Sequence, residues 1–298
     1  MLAVKLLQEQ GIGVELVFFV TNFCQPDLAH KSAKQLGVPL REENISGDFL
    51  KILRKPKYGY GAGLNPCIDC HALMLKKAGG IMRNEKFDFV ATGEVLGERP
   101  MSQNRQALEI VEKEAGLEGY LLRPLSAKLL EPTIPELDGR VSREKLLDIR
   151  GRSRKVQMAL AKKYSIKKYP SPAGGCALTQ EGFSARLKEL MAHKPSFTVE
   201  DVDLVAIGRH FWPFDKLRMK RVQIILGRNK EENEFLKKQI GKNDVLVIPV
   251  NFSGPEALIW GQKIGDEIIT HAKELIIKFS PKAKGLAKEK LIFKIIKK

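Results

Sequence analysis

The chain is poor in the features that mark secreted scaffolds, membrane proteins and fibrous or disordered polypeptides. Four cysteines in 298 residues are too few for a disulfide framework. No apolar run approaches the ~18 residues that a membrane span requires. The opening MLAVKLLQEQ has the spacing of an amphipathic helix, with no basic leader or cleavage site. A cytoplasmic protein with no membrane segment is therefore expected. There is no internal repeat, and a content of 43% hydrophobic and 29% charged residues is ordinary for a folded chain. The length exceeds one average domain and predicts two.

What the second half lacks is acid. Residues 1–150 carry 21 Lys and Arg against 20 Asp and Glu, and residues 151–298 carry 30 against 15, so the net charge of +16 lies almost wholly in the second half. So one-sided a field attracts polyanions, of which nucleic acid is the commonest in the cytoplasm. A lysine-rich solvated surface of the thermophilic kind would carry matching glutamate, and this half does not.

The first half alternates helical and extended signals. Residues 1–10 have helical period, GVELVFFV (13–20) is rich in β-branched and aromatic residues, and 27–36 is helical again with Gly37 as a stop before the extended VPLREENI. Further on, ALMLKKAGGIMRNEK feeds the strand-like FDFVATG. This βα alternation predicts an α/β domain with a parallel sheet and a ligand crevice at the carboxyl ends of its strands. Around Arg150 the chain turns basic, and an amphipathic helix is expected to carry Arg152, Arg154, Lys155, Lys162 and Lys163, either as phosphate contacts or as a solvated face. MAHKPSFTVE (191–200) reads as a linker. Beyond it, VDLVAIG, RVQIILG and DVLVIPV read as strands and 230–240 as a helix, which makes a smaller α+β module. The expected domains are 1–190 and 200–298.

The sharpest local feature is NPCIDCH, with Cys67 and Cys70 at a helix start, and a third cysteine, Cys176, in PSPAGGCALT. Helix amides favour a thiolate there, and Gly174 and Gly175 would let the loop approach closely. Three thiolates can hold a four-iron (4Fe-4S) cluster with one iron open, act as persulfide carrier and resolving thiol, or bind zinc with His71 or Asp69 as fourth ligand. C-I-D-C-H also has the form of a haem attachment site, which needs an exported protein. Buried structural cysteine is the plain alternative, and Cys24 is read as structural and isolated.

These residues carry a resemblance. TGEVLGERPMSQNRQAL (Thr92 to Leu108), followed by LLRPLSAK, is similar to the T-G-E-x-L-G-x-x-x-S-Q-T segment of the tRNA 4-thiouridine synthetase family, and NPCIDCH resembles the cysteine motif ahead of it. Cys176 stands where the related 2-thiouridine enzymes have a second active-site cysteine. The resemblance implies a PP-loop domain that binds ATP with Mg2+ and activates a tRNA uridine. Sulfur would then come through Cys67, Cys70 and Cys176, as an iron-sulfur cluster or a persulfide, from a donor protein or sulfide. The nucleotide would lie near Thr92, Gly93, Glu94, Gly97, Ser102 and Gln103. The S-G-G-x-D-S signature of those families has no counterpart before MLAVKLLQEQGI, so the expected domain lacks the PP-loop itself.

A second resemblance covers ILGRNKEENEFLKKQIGKNDVLVIPVNFSGPEALIWG, which is similar to the RNA-binding domain of the NFACT proteins in its G-R-N, N-x-x-L helix and following Asp244. Gly254 and Pro255 stand in reversed order, and W-x-H is missing. Arg228 and Asn229 at a helix start make a phosphate or base-edge site, or simply a cap. Arg209, His210, Phe211 and Trp212 place basic and aromatic groups together for stacking on unpaired bases, or in a core. The tail PKAKGLAKEKLIFKIIKK fits an edge strand guarded by lysines. The leading expectation is a tRNA sulfurtransferase. The alternative is a non-catalytic RNA-binding protein.

Overall fold

The structure, a computed structural model, describes residues 1–24, 26–169, 176–212, 222–261, 264–283 and 286–298. The chain divides into two units, Met1–Ser184 and Ala185–Lys298.

In the first unit, helices and short strands alternate as α1 (Leu2–Gln8), β1 (Leu16–Val20), α2 (Asp27–Leu36), β2 (Leu40–Asn44), α3 (Ser46–Arg54), α4 (Cys67–Asn84), β3 (Val90–Ala91), α5 (Arg105–Ala115), β4 (Leu121–Leu122), α6 (Ile134–Leu137) and α7 (Lys155–Lys163). α8 (Glu181–His193) begins in this unit. Local chemistry sets these limits. Gly37 and Gly116 stop α2 and α5 in the left-handed region at φ 67° and 63°, and the Asn104 side chain caps α5 by accepting from Ala107 N–H.

The expected single parallel sheet takes a different form among the described residues. β1 and β2 pair in parallel from Leu16↔Leu40 to Val20↔Asn44, and β3 and β4 pair in parallel over two residues, but the two pairs are separate. A cavity of about 290 Å³ is lined by Val14, Leu16 and Val17 beside β1, by Phe89, Val90 and Ala91 beside β3, and by residues of α1 and α4. All five residues of β1 are consequently only half-buried, although LVFFV has the apolar content of a fully covered strand. A buried cluster lies elsewhere, where Leu75 and Met82 of α4 meet Val111 and Ala115 of α5 together with Leu117 and Leu121.

The second unit holds α9 (Val199–Val205), β5 (Arg209–Phe211), β6 (Val222–Leu226), α10 (Lys230–Gln239), β7 (Val245–Pro249), β8 (Ala257–Gly261), α11 (Asp266–Phe279) and β9 (Phe293–Lys297). Its strands form one antiparallel sheet in the order β5-β6-β8-β7-β9. α11 covers one face through Ile268, Ala272 and Ile276, and Leu204 of α9 with Leu236 of α10 covers the other. β6, buried at every residue, reads VQIIL because both of its faces are covered. The end of the lysine-alternating tail, Phe293–Lys297, forms the edge strand β9. VDLVAIG, expected as a strand, is largely the helix α9: Thr198 and Asp201 form a reciprocal capping box at its start, and this cap outweighs the β-branched content. The expected linker at 191–200 is taken up by the end of α8 and this cap. The chain is thus mixed α/β, with a small antiparallel-sheet C-terminal unit.

Candidate functional sites

In the first unit, α4 starts at Cys67 behind Pro66. Its first turn is tied down by Asp69, whose carboxylate accepts from Lys57 N–H at 2.9 Å and Tyr58 N–H at 3.0 Å. The turn before the helix meets the segment after Cys176. Leu64 N–H donates to the Leu178 carbonyl at 3.1 Å, and Gly63, at φ +63°, comes so close that a Cβ there would lie 2.3 Å from the same oxygen. Only glycine fits this approach. Phe23 packs on Phe49 at 5.2 Å and edge-on against Phe183 at 5.9 Å, which brings Cys24 to the same region.

The thiols sense one another. Burial pushes Cys70 strongly up, and the charges of Cys176, Cys67 and Cys24 add to this. Burial pushes Cys176 up to about 11, opposed by the Leu178 N–H and Arg99 and reinforced by Cys24 and Cys67. Cys67 is also raised by burial, with Arg99 opposing. Cys24, expected to be isolated, therefore belongs with the other three. Its position just past the end of β1, at the carboxyl end of a parallel strand, was the signal in the sequence. Gly174 and Gly175 lie outside the described residues. No group of three or more His, Cys, Asp or Glu among the described residues is arranged to hold a metal ion.

The Thr92–Gln103 segment has two kinds of residue. Glu94 is 7% exposed and accepts from His71 Nδ1 at 2.9 Å, Thr92 Oγ1 at 3.1 Å and Arg123 Nε at 3.1 Å. Burial alone would raise its carboxyl, but the bond and charge of His71 and the charge and bond of Arg123 bring it down to about 2. Thr92 and Glu94 thus brace the fold, and His71 joins them. Gly97, at φ +78°, donates to the Gln103 carbonyl at 2.6 Å, and Ser102 is buried. Gly93 and Gln103 instead line a cavity of about 330 Å³ with Arg99, Arg154 and Gln157. There the amide oxygen of Gln103 and both amide atoms of Gln157 are buried without a partner among the described residues.

Of the cations expected to meet RNA, Arg152 and Lys155 are exposed, whereas Arg154 pairs with Glu98 at 2.6 Å. In the second unit the Arg228 guanidinium is held by Glu232 through Nε at 2.8 Å and a still closer Nη2 contact, and the Asn229 side chain caps α10 by accepting from Glu232 N–H at 2.9 Å. Both residues serve the helix start. Arg209 is exposed and lies 5.0 Å from the Phe279 ring. His210 turns inward, donating from Nε2 to the Ile207 carbonyl at 2.7 Å and accepting at Nδ1 from Gln223 at 3.0 Å. Phe211 packs against the core beneath α11. Trp212 stacks on His193 at 4.3 Å and 10°. Trp260, which sequence reasoning missed, lies beneath Lys194 Nζ at 4.0 Å.

No helix among the described residues is long and apolar enough to cross a membrane. Residues 208–295 match the model of the NFACT protein RNA-binding domain. No curated protein matches the chain. Among solved structures, the chain is similar to the C-terminal part of the fibronectin/fibrinogen-binding protein from Streptococcus suis at 15% identity. The likeness covers 77% of this chain and 81% of that one, with a TM-score of 0.25.

Proposed function

We propose that this chain is an RNA-binding protein whose second unit supplies the grip. The observation that carries this reading is the match of residues 208–295 to an NFACT RNA-binding domain. Charge supports it: residues 185–298 hold 23 Lys and Arg against 14 Asp and Glu, and residues 151–184 hold 7 against 1. Because phosphate contacts release counterions, tRNA affinity is expected to fall at least tenfold, to order of magnitude, between low and physiological salt. A filter-binding titration across salt concentrations tests this. Absence of binding at the lowest salt overturns it.

One observation favours a second, finer reading, in which the bound RNA is a tRNA whose uridine receives sulfur: the turn before Cys67 is bonded to the segment after Cys176, Leu64 N–H donating to the Leu178 carbonyl at 3.1 Å. In this scheme ATP would supply the activation, converting the uridine carbonyl oxygen into a leaving group. A persulfide on Cys67 or Cys176 attacks the activated carbon with its terminal sulfur and expels AMP. A second cysteine thiolate then closes a disulfide as the thiouridine leaves, and a thiol reductant restores both cysteines. Among the described residues these side chains are not arranged to hold a metal, so no step is assigned to a cluster or zinc. A donor protein's persulfide would recharge the thiol by passing on its terminal sulfur and leaving as a thiol, and sulfide would do so by attacking the Cys–Cys disulfide, giving a persulfide on one cysteine and freeing the other as a thiol. The test is the tRNA thionucleoside content of a deletion strain, restored by the unaltered gene and not by Cys176→Ala. Unchanged thionucleosides with RNA binding intact leave the first reading alone.

A further inference from the structure

Several arginines of the first unit are matched by acids: Arg41 by Glu15 and Glu85, Arg123 by Glu94 and Glu112, Arg140 by Asp88 and Asp138. The stretch around α7 departs from this pattern, with Glu181 the only acid between residues 151 and 184. α7 is fastened at its start by the Arg154–Glu98 pair at 2.6 Å. Its end is fastened by Glu9, which meets Lys163 at 3.7 Å and accepts from the Tyr164 hydroxyl at 2.7 Å. Between these ties Leu160 packs against Leu6, Val95, Leu125 and Ile149, and Ala161 is buried. With Glu98 and Glu9 so engaged, Arg152, Lys155, Lys162, Lys167 and Lys168 are exposed and form no ion pair among the described residues. Lys155, Met158 and Lys162 stand at i, i+3 and i+7 on one outward stripe, the two lysines about 10 Å apart along the helix. Met158 is half exposed, and the Tyr169 hydroxyl donates to its sulfur at 3.1 Å, which sets the 167–169 segment alongside the same stripe.

We infer that this face of the first unit is a second RNA-contact surface, on which α7 and the 167–169 segment hold the phosphate backbone. The inference rests on the RNA-binding reading and goes beyond its assignment of the grip to the second unit. Unmatched cations gathered on and beside one helix exchange their neighbourhood of water and small ions for phosphates, and each contact releases counterions. Phosphate contacts carry no sequence information, so the surface positions RNA and does not select it. A lipid surface fits less well. α7 turns its apolar side into the fold, and its large exposed apolar side chains are Val156 and Met158, too little area to seat a helix in a bilayer interface.

The test uses the full chain with tRNA as probe. Lysine acetylation by a small active ester, read by mass spectrometry, should be suppressed by bound tRNA at Lys155, Lys162, Lys167 and Lys168. It should be unchanged at Lys31 and Lys34, which are exposed on α2. Combining Arg152→Gln, Lys155→Gln, Lys162→Gln and Lys167→Gln should lower the slope of log affinity against log salt by about three, and weaken binding at low salt about tenfold or more. The pair Lys31→Gln and Lys34→Gln should leave both nearly as they were. Unaltered far-UV circular dichroism establishes that the fourfold variant is folded, and the footprint on the unaltered protein decides the matter if it is not. Undiminished acetylation of the α7 lysines under bound tRNA, an unchanged slope in the folded fourfold variant, or an equal loss in the Lys31 and Lys34 variant overturns the surface and leaves RNA binding standing. Binding to phosphatidylglycerol–phosphatidylcholine vesicles that the fourfold variant loses, without a tRNA footprint on α7, overturns it in favour of lipid. If tRNA does not bind at the lowest salt, the RNA-binding reading falls, and this surface with it.

Discussion

Replacing Glu94 with glutamine tests whether this residue braces the first unit, because the substitution keeps the shape and removes the charge. A carboxyl held at about 2 instead of its usual 4.5 corresponds to about 3 kcal/mol of stability at neutral pH. Breaking a buried pair on one side independently suggests about 3–5 kcal/mol. The lower figure is the more reasonable expectation, because the Arg123 guanidinium keeps Glu112 at 2.7 Å and the Leu108 carbonyl at 3.0 Å. The folded-state value is depressed, so the contribution is complete above about pH 4.5 and is lost as pH falls towards 2. Both tryptophans lie in the second unit, which separates the signals. In urea, Glu94→Gln at pH 7 should shift the far-UV circular dichroism transition by about 3 kcal/mol and leave the tryptophan fluorescence transition in place. Between pH 4.5 and 2 the unaltered protein should lose this advantage and converge on the variant. A variant within about 0.5 kcal/mol of the unaltered protein at pH 7, the range of ordinary surface substitutions, would refute the bracing role.

Further tests bear on the other features. His210 is held near 4, chiefly by burial, with the Ile207 carbonyl opposing and the charge of Arg186 adding. The folded state excludes its proton, so the fluorescence transition should lose about 3 kcal/mol as pH falls from 6.5 to 4, and His210→Gln should remove that dependence. Asn229→Ala should cost about 1 kcal/mol in the same transition and change RNA affinity little, since the side chain is engaged in capping. Gly208→Ala should cost about 2 kcal/mol or more, because φ is +75° and the new Cβ would lie 2.5 Å from the Leu226 carbonyl oxygen. Alkylation of the folded protein, followed by peptide mass spectrometry, should modify Cys67 fastest and Cys70 slowest, with Cys176 between them.

The parts of the fold most readable from sequence are those set by local chemistry. Asp27 to Leu36 is a helix ended by Gly37, as its spacing and glycine indicate, and the helix from Lys230 begins at its Asn229 cap. α9 was misread because V-D-L-V-A offers both β-branched residues and helical spacing, and the Thr198–Asp201 capping box that decides between them is easily passed over inside a supposed linker. The thiol site was half legible. Cys67 and Cys70 announce themselves by spacing, whereas Cys24 is marked only by its place just past a strand, and it is the packing of Phe23 against Phe49 and Phe183 that brings it towards them. Arg228 shows a related limit: a sequence counts charges, whereas the fold pairs this one with Glu232 four residues on. Trp260 looked like an ordinary strand residue until folding set its ring beneath Lys194.

The split between the β1–β2 and β3–β4 pairs has a mechanical consequence. Where a continuous sheet would tie the first unit together, the described residues hold no ladder between the β1–β2 and β3–β4 pairs, and the margins of β1 and β3 flank the cavity lined also by α1 and α4. Amide exchange should be fastest along these margins, and the unit should part there before either pair of strands comes undone.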